Sequence, residues 1–292
     1  MEDRDWVILQ TLHKHKNITK AAEELFISQP SLTKRLRDIE NEFGVTIVKR
    51  GRRGVDFTPG GEFLAKSADQ ILLNMRKIKE QLSNMSIDEV AGTLRLGVSN
   101  YFTKYHLPRI LKSFKEQYPK VEFQVITGWS REILNLVYKQ EVHIGFLRGD
   151  YQWADKKYQL FEESFCIASK NDILLEDLPR LSRIDYRTES LFKGIIDNWW
   201  NENFEQPPLI GMVVDKVDTA KEMVMNGLGY AIMPRRILND VHNVNIIDTK
   251  DCNGKPILRK TWMFYHEESL DLKMVKRFVE LVESLDLSGT HK

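Results

Sequence analysis

Residues Ile18 to Glu40 read I-T-K-A-A-E-E-L-F-I-S-Q-P-S-L-T-K-R-L-R-D-I-E, and this run constrains the fold more than any other in the chain. It predicts two short helices joined by a tight turn. On the second, at about 100° per residue, Leu32, Leu36, Ile39 and Phe43 share one narrow sector and must face a core. Pro30, Thr33, Lys34 and Arg37 gather on another side. Ser28 is a natural N-cap, because its hydroxyl can accept a bond from a free N–H of the first turn. Pro30 costs little there, since early N–H groups lack intrahelical partners. Thr19 is read as the N-cap of the first helix, Ala21 and Ala22 as small residues that permit close helix–helix approach, and Leu25 as inward-facing.

A helix N-terminus attracts phosphate. Gln29, Pro30, Ser31, Thr33 and Lys34 occupy the first two turns, the part that a recognition helix presents to base edges in the major groove. The pattern alone fits an ordinary amphipathic helix pair with a solvated cationic side equally well, and the next segment tilts the balance. After Phe43-Gly44, V-T-I-V-K-R-G-R-R-G-V-D-F-T-P alternates, breaks at Gly51 and Gly54, and alternates again. That is a hairpin whose tip carries Lys49, Arg50, Arg52 and Arg53, cations that a two-stranded wing can lay along phosphates. Double-stranded DNA is the expected partner, with Arg37 and Arg50 completing the basic face.

These residues carry a resemblance. A-A-E-E-L-x-I-S-Q-P-S-L-T-K-R-L-R-D-I-E-x-E-F-G, the basic wing and then T-P-G-G are similar, in order and spacing, to the N-terminal winged helix-turn-helix of LysR-type transcriptional regulators, and a looser match continues to about residue 285. The resemblance implies that Gln29, Pro30, Thr33 and Lys34 touch DNA, with Arg52 and Arg53 on the wing. There are two departures: Ile47-Val48 where the family usually has Leu-Phe, and Thr33 in place of a commoner Ser. Neither removes a polar reader.

The 292 residues suggest two or three domains. A net charge of +1 argues against a diffuse polycation, so the basic character of residues 34–53 is that of a local site. Cys166 and Cys252 form neither a zinc spacing nor a C-x-x-C, and a reducing compartment is the simpler reading. The acidic start M-E-D-R-D leads into an amphipathic helix rather than a signal peptide. No apolar run approaches the roughly 18 residues of a membrane span. The chain is expected in the cytoplasm, away from membranes.

Thr58-Pro59 opens a further helix. Leu64, Ala68, Ile71, Met75, Ile78, Leu82 and Met85 recur with alternating gaps of four and three, the a/d pattern of a coiled-coil seam. Such a stripe could lie on a neighbouring domain. It persists for several turns, however, while Lys66, Asp69, Lys77, Lys79 and Glu80 charge the opposite side, so pairing of two chains is favoured. A homodimer fixes the separation of two recognition helices, and the target would be an inverted repeat. The resemblance implies the same, and implies that dimers pair into homotetramers, a step the residues leave open.

Beyond the polar stretch Ser83 to Gly92, strands and helices alternate. T-L-R-L-G-V, the helix Leu107 to Tyr118, V-E-F-Q-V-I-T, the helix Glu132 to Lys139 and V-H-I-G-F-L come first. F-C-I-A-S, I-I-D-N-W-W-N-E-N-F as a helix, L-I-G-M-V-V and G-L-G-Y-A-I-M-P follow. The rhythm predicts two α/β lobes with largely parallel sheets and a cleft between them, where ligands prefer to bind. This arrangement resembles the effector domain of LysR-type regulators, itself similar to type 2 periplasmic solute-binding proteins, most strongly over D-T-A-K-E-M-V-M-N-G-L-G-Y-A-I-M-P. The expected fold is an α+β multidomain chain. A winged helix-turn-helix spans 1–58, a coiled-coil linker helix and hinge 59–91, and a two-lobed α/β effector-binding domain 92–292, with lobe I at about 92–160 and 265–292 and lobe II at about 161–264.

Strand ends place the cleft residues: Ser99 and Asn100 after the first strand, Thr127, Gly128 and Ser130 after the second, and Arg148 after the third. Hydroxyls beside free helix N–H groups make an anion cradle. Arg259, in P-I-L-R-K-T-W-M-F-Y, could converge with Arg148 on a ligand with more than one carboxylate; salt bridges and plain helix capping are the competing readings. S-N, G-W-S, F-L-R-G and P-I-L-R also resemble a citrate-responsive subgroup of the family. That resemblance implies a small-molecule effector of the di- or tricarboxylate class, held by Ser99, Ser130, Arg148 and Arg259.

The sequence holds no G-x-G-x-x-G opening a helix, P-loop, H-E-x-x-H or G-x-S-x-G, and its seven histidines are scattered. No cofactor and no metal is expected, and no nucleophile–base pair supports an enzyme. An α/β enzyme or a cytoplasmic small-molecule-binding protein using the same cleft is the alternative. Trp199-Trp200 is read as packing of one lobe on the other, Cys166 as a small core residue, and Gly227 to Gly229 as a turn before a strand.

Overall fold

The computed structural model describes residues 2–51, 54–86 and 89–287, which form two compact units divided between residues 88 and 89. The first unit contains α1 (Asp3–His15), α2 (Ile18–Glu24), α3 (Gln29–Phe43), β1 (Val48–Gly51), β2 (Gly54–Phe57) and α4 (Pro59–Ser86). Ile8, Leu9, Leu12, Ala21, Leu32, Leu36 and Ile39 fill its core. For α3 the punctuation acts as expected: the Ser31 N–H donates to Ser28 Oγ at 3.3 Å, and Gly44 ends the helix at φ 64°.

Two local expectations shift. The cap of α2 is Asn17, whose side chain accepts from the Lys20 N–H at 3.1 Å, rather than Thr19. Starting the helix at Ile18 lets that side chain reach the core. Phe43 lies in the last turn of α3, past the edge of the core. It is 41% exposed, with its ring edge-on to Trp6 at 6.3 Å.

β1 and β2 pair antiparallel, with Gly51 opposite Gly54. Glu40 Oε1 fixes the approach to the wing by accepting from the Ile47 N–H at 2.7 Å. At Gly61 a Cβ would lie 2.0 Å from the Ile47 carbonyl oxygen, and the Gly61 N–H donates to Thr58 Oγ1 at 3.0 Å. The T-P-G-G motif is therefore a capped helix start whose second glycine passes backbone too closely for a side chain.

The heptad stripe on α4 divides into two parts. Leu64 and Ala68, expected in a chain-to-chain seam, are buried in the unit's own core, because α1 packs over them. Their dimerisation role is corrected accordingly. Ile71 and Met75 are half-buried, whereas Ile78 is 56%, Leu82 60% and Met85 79% exposed.

The second unit begins with β3 (Gly92–Ser99), α5 (Asn100–Tyr105), α6 (Leu107–Gln117), β4 (Val121–Gly128), α7 (Ser130–Tyr138) and β5 (Ile144–Arg148). It continues through β6 (Lys156–Ser169), β7 (Arg183–Tyr186), α8 (Ser190–Asn203), β8 (Ile210–Val214), α9 (Val217–Met225) and β9 (Tyr230–Pro234). It ends with β10 (Asn245–Asp248), β11 (Leu258–Tyr265) and α10 (Lys273–Ser284). The strands link in the order β4-β3-β5-β11-β6-β9-β7-β8, with β10 also on β6.

The long strand β6 serves both lobes. Its first part pairs with β11, and its second part with β9 and β10. The sheet is mixed rather than largely parallel: β3, β4 and β5 run parallel, as do β7, β8 and β9, but β6, β10 and β11 enter antiparallel pairings. The lobe boundary also moves. β11, expected in lobe II, pairs with β5 and sends Met263 into the first lobe's core, where α10 adds Val275, Phe278 and Val279. Trp199 and Trp200 do not join the lobes; both are buried within the second, with Leu178, Tyr230 and Ile232. Cys166 is fully buried beside Ile184 and Met233, and burial pushes its thiol up to about 12.

Candidate nucleic-acid interface and ligand cleft

On α3 the core positions leave Gln29, Pro30, Ser31, Lys34 and Arg37 exposed and Thr33 half-buried. Ser31 Oγ bonds Ser28 Oγ at 2.7 Å, so it also supports the cap. Arg35 is turned the other way. Its guanidinium grips the buried Asp5 carboxylate of α1 with two bonds, of 2.5 and 2.7 Å. Burial pushes the Asp5 carboxyl up, but hydrogen bonds from Arg35 and the Glu2 backbone outweigh it and hold the group below the ordinary aspartate range. Arg35 thus anchors the helix, while Lys34 and Arg37 make no ion pair among the described residues. On the wing, Lys49 is exposed and stands opposite Asp56. Arg50 pairs through its backbone with Val55. Its side chain, and all of Arg52 and Arg53, lie outside the described residues.

In the second unit a cavity of about 480 Å³ opens where strands from both lobes end. Ser99, Asn100 and Tyr101 follow β3; Gly128 and Trp129 close β4; Arg148 ends β5; Tyr186 to Glu189 follow β7; Asp215 to Asp218 follow β8; Arg259 stands near the start of β11. Carboxyl ends of parallel strands are the usual place for a ligand in such sheets.

Of the residues expected here, Ser99, Asn100, Gly128, Arg148 and Arg259 line the cavity. Thr127 does not; it is exposed on the edge strand β4. Ser130 does not either. It is fully buried, its hydroxyl accepts from the Arg148 N–H at 3.0 Å, and its own N–H donates to Glu189 Oε1 at 2.8 Å. Ser130 holds the end of β5 against α7, and the N–H that would greet a ligand already has a carboxylate.

Arg148 and Arg259 do converge, but on Glu163 of β6, which the sequence reading passed over. Arg259 donates to Glu163 Oε1 at 3.1 and 2.8 Å, and Arg148 donates to the same oxygen. Glu163 is 2% exposed. Burial pushes its carboxyl up, against the pull of Arg148 and Arg236. The signal was its parity: Phe161, Glu163 and Phe165 share the buried face of one strand.

The Arg148 guanidinium also lies 3.8 Å from the centre of the Tyr101 ring. Ser99 Oγ, Arg148 Nε, Glu163 Oε2 and Tyr186 OH are buried polar atoms without a hydrogen-bond partner among the described residues. Such atoms are rare inside proteins; those of Ser99, Arg148 and Tyr186 belong to residues that line the cavity, and they mark it as a place for polar chemistry. Two polar latches bridge the lobes beside it. Tyr105 OH and Lys104 Nζ reach Asp218 Oδ1 at 2.7 and 2.9 Å, and Glu189 takes the Ser130 N–H and, at 3.3 Å, the Tyr151 hydroxyl. Among the described residues no cluster suited to a metal ion occurs, and no helix is long and apolar enough to cross a membrane.

Comparison with known proteins covers both units. Residues 4–62 match the bacterial regulatory helix-turn-helix protein, lysR family, and residues 88–286 match the LysR substrate binding domain. The HTH-type transcriptional regulator YraN of Bacillus subtilis (strain 168), described as uncharacterized, is 40% identical over 97% of this chain and 98% of its own. YkuM of the same strain, described in the same terms, is 34% identical over 98% of each. Among solved structures, CbnR, a LysR family transcriptional regulator, superposes with a TM-score of 0.66 over 97% of this chain and 98% of its own, at 18% identity. Full-length CbnR complexed with its target DNA gives 0.66 over 97% and 99%, at 19% identity.

Proposed function

The chain belongs to the LysR family of DNA-binding transcriptional regulators, and on that premise we propose that it binds an inverted-repeat promoter site through α3 and the wing and responds to a small carboxylate held in the cleft. It is a regulator with an effector-binding domain rather than an enzyme. The observation that carries the reading is the division of labour on α3. Arg35 locks the helix to α1, which leaves Gln29, Pro30, Ser31, Thr33, Lys34 and Arg37 to meet the groove. Arg50, Arg52 and Arg53 on the wing neutralise flanking phosphates. The DNA complex of CbnR supports this use of the first unit.

Two copies pair through the distal part of α4, where Ile71, Met75, Ile78 and Leu82 continue the apolar stripe, and the protein binds its site as this dimer or as a tetramer of two such pairs. The effector lies against Ser99, Asn100, Gly128, Arg148 and Arg259 and is a di- or tricarboxylate such as citrate. It acts through unequal affinity for the lobe arrangements available to the domain.

A mobility-shift titration on the fragment upstream of the protein's own gene tests the first half. Retardation that survives excess competitor DNA is expected, and retardation lost to competitor would contradict it. A thermal-shift screen of carboxylates tests the second: stabilisation of the wild type but not of Arg148→Ala is expected. Equal stabilisation of both would move the ligand elsewhere.

A further inference from the structure

The turn between α2 and α3 carries a residue that the fold does not ask for. Phe26 has φ 53°, in the left-handed region. Its N–H donates to the Glu23 carbonyl at 3.1 Å, and the Ile27 N–H donates to the Ala22 carbonyl at 3.0 Å. This pair of bonds is the helix stop whose left-handed position usually takes glycine and sometimes asparagine. A bulky side chain is disfavoured there, because its Cβ crowds the following carbonyl. The other non-glycine residues with positive φ among the described ones, Lys16, Gln140 and Asn243, are all polar.

Burial does not offset this cost. Leu25 and Ile27, on either side, pack against the core of the first unit, whereas Phe26 is 95% exposed. The same turn delivers the chain to α3. Phe26 stands three residues before Gln29, so their Cα atoms are at most about 11 Å apart. The major groove is about 12 Å wide. With the first turn of α3 in that groove, a side chain this near and turned from the core stands at its wall. The apolar groups of DNA found there are thymine methyls and deoxyribose.

We propose that Phe26 is an apolar DNA-contacting residue, whose ring packs on thymine methyls or deoxyribose at the edge of the groove that α3 enters. The free protein carries a strained turn and an exposed ring; the complex gains the apolar surface that the ring loses to water. The contact is uncharged, which sets it apart from the cations of α3 and the wing. The proposal rests on the reading of α3 as the recognition helix and adds a contact from the turn before it.

The test is fluorescence anisotropy of the full-length protein on the upstream fragment, for wild type, Phe26→Asn, Phe26→Tyr and Gln29→Ala, with thermal unfolding and sedimentation equilibrium alongside. Phe26→Asn suits the left-handed backbone and removes the ring. Its first unfolding midpoint should hold or rise, while its affinity falls at least about fivefold. Its slope of log affinity against log salt should match the wild type, because the ring releases no counterion. Phe26→Tyr keeps the ring and should bind within about twofold of wild type. Deoxyuridine in place of each thymine in turn separates the two surfaces. A methyl contact shows as a substitution that weakens the wild type but not Phe26→Asn, and a sugar contact as a loss that no such substitution reproduces. A Phe26→Asn protein that binds as tightly as wild type overturns the proposal; weaker self-association in that case would give the ring to a second copy of the chain. A midpoint that falls together with affinity also overturns it, since the ring would then be structural. In both cases impaired site discrimination by Gln29→Ala leaves the recognition helix standing. If Gln29→Ala discriminates as well as wild type, that reading fails and the proposal with it.

Discussion

The two units handle positive charge in opposite ways. On α3 of the first unit, Lys34 and Arg37 stand in solvent, and only Arg35 is turned inward to an acid. In the cleft of the second, Arg148 and Arg259 are buried and share one glutamate. An exposed, uncommitted cation suits a partner that is itself a long polyanion, since binding is gained by releasing counterions and lost with salt. A buried, internally paired cation suits a small ligand whose charge must match closely, because any mismatch is felt at low dielectric. The same residue type thus serves a surface that tolerates many sequences of phosphates and a pocket that should tolerate few acids.

The largest effect should come from breaking the exception. Arg35→Ala leaves the Asp5 carboxylate buried without its partner, and the unfolding midpoint of the full chain's first transition should fall by roughly 5–8 °C. The sign with pH follows from the lowered Asp5 pKa. Its contribution is present above the unfolded aspartate pKa and lost as pH falls through the lower folded value, so the difference between wild type and variant should shrink in acid. A gap that stays constant down to low pH would mean that the pair is not what anchors α3.

Next in size, Gln29→Ala should cut discrimination between the target site and a point-mutated site by about 1–3 kcal/mol in competition binding. It should leave non-specific affinity alone. On the linker, Leu82→Asp should weaken self-association at least about tenfold in sedimentation equilibrium by placing a charge in an apolar seam, whereas Leu64→Ala should chiefly lower stability. The smallest change is expected at the latch between the lobes. Asp218→Ala loses a partly exposed contact with Lys104 and Tyr105 and should cost less than about 1 kcal/mol in chemical denaturation.

What could be read from the sequence was what is local. Ser28 and Gly44 bracket α3 because caps are set by their own backbone and side chain. The T-P-G-G start of α4 follows from one close approach, and the two-lobed α/β domain follows from strand–helix rhythm. The failures are long-range. Asn17 and Thr19 are both good caps, and only the core's need for Ile18 chooses between them. Leu64 and Ala68 fit a heptad as well as they fit the helix that covers them. The acids of the cleft, Glu163 and Glu189, reach it from other elements, and Tyr105 and Asp218 meet across 113 positions of sequence. A pairing that topology makes cannot be seen from either partner's neighbours.

The contrast between free and committed cations is tested most directly by the salt dependence of DNA binding. Fluorescence anisotropy on the upstream fragment would be measured across salt concentrations for wild type, Arg37→Ala and Arg148→Ala. The account predicts that Arg37→Ala lowers the slope of log affinity against log salt by about one and that Arg148→Ala leaves it unchanged. A slope unaltered by Arg37→Ala, or lowered equally by both, would contradict it.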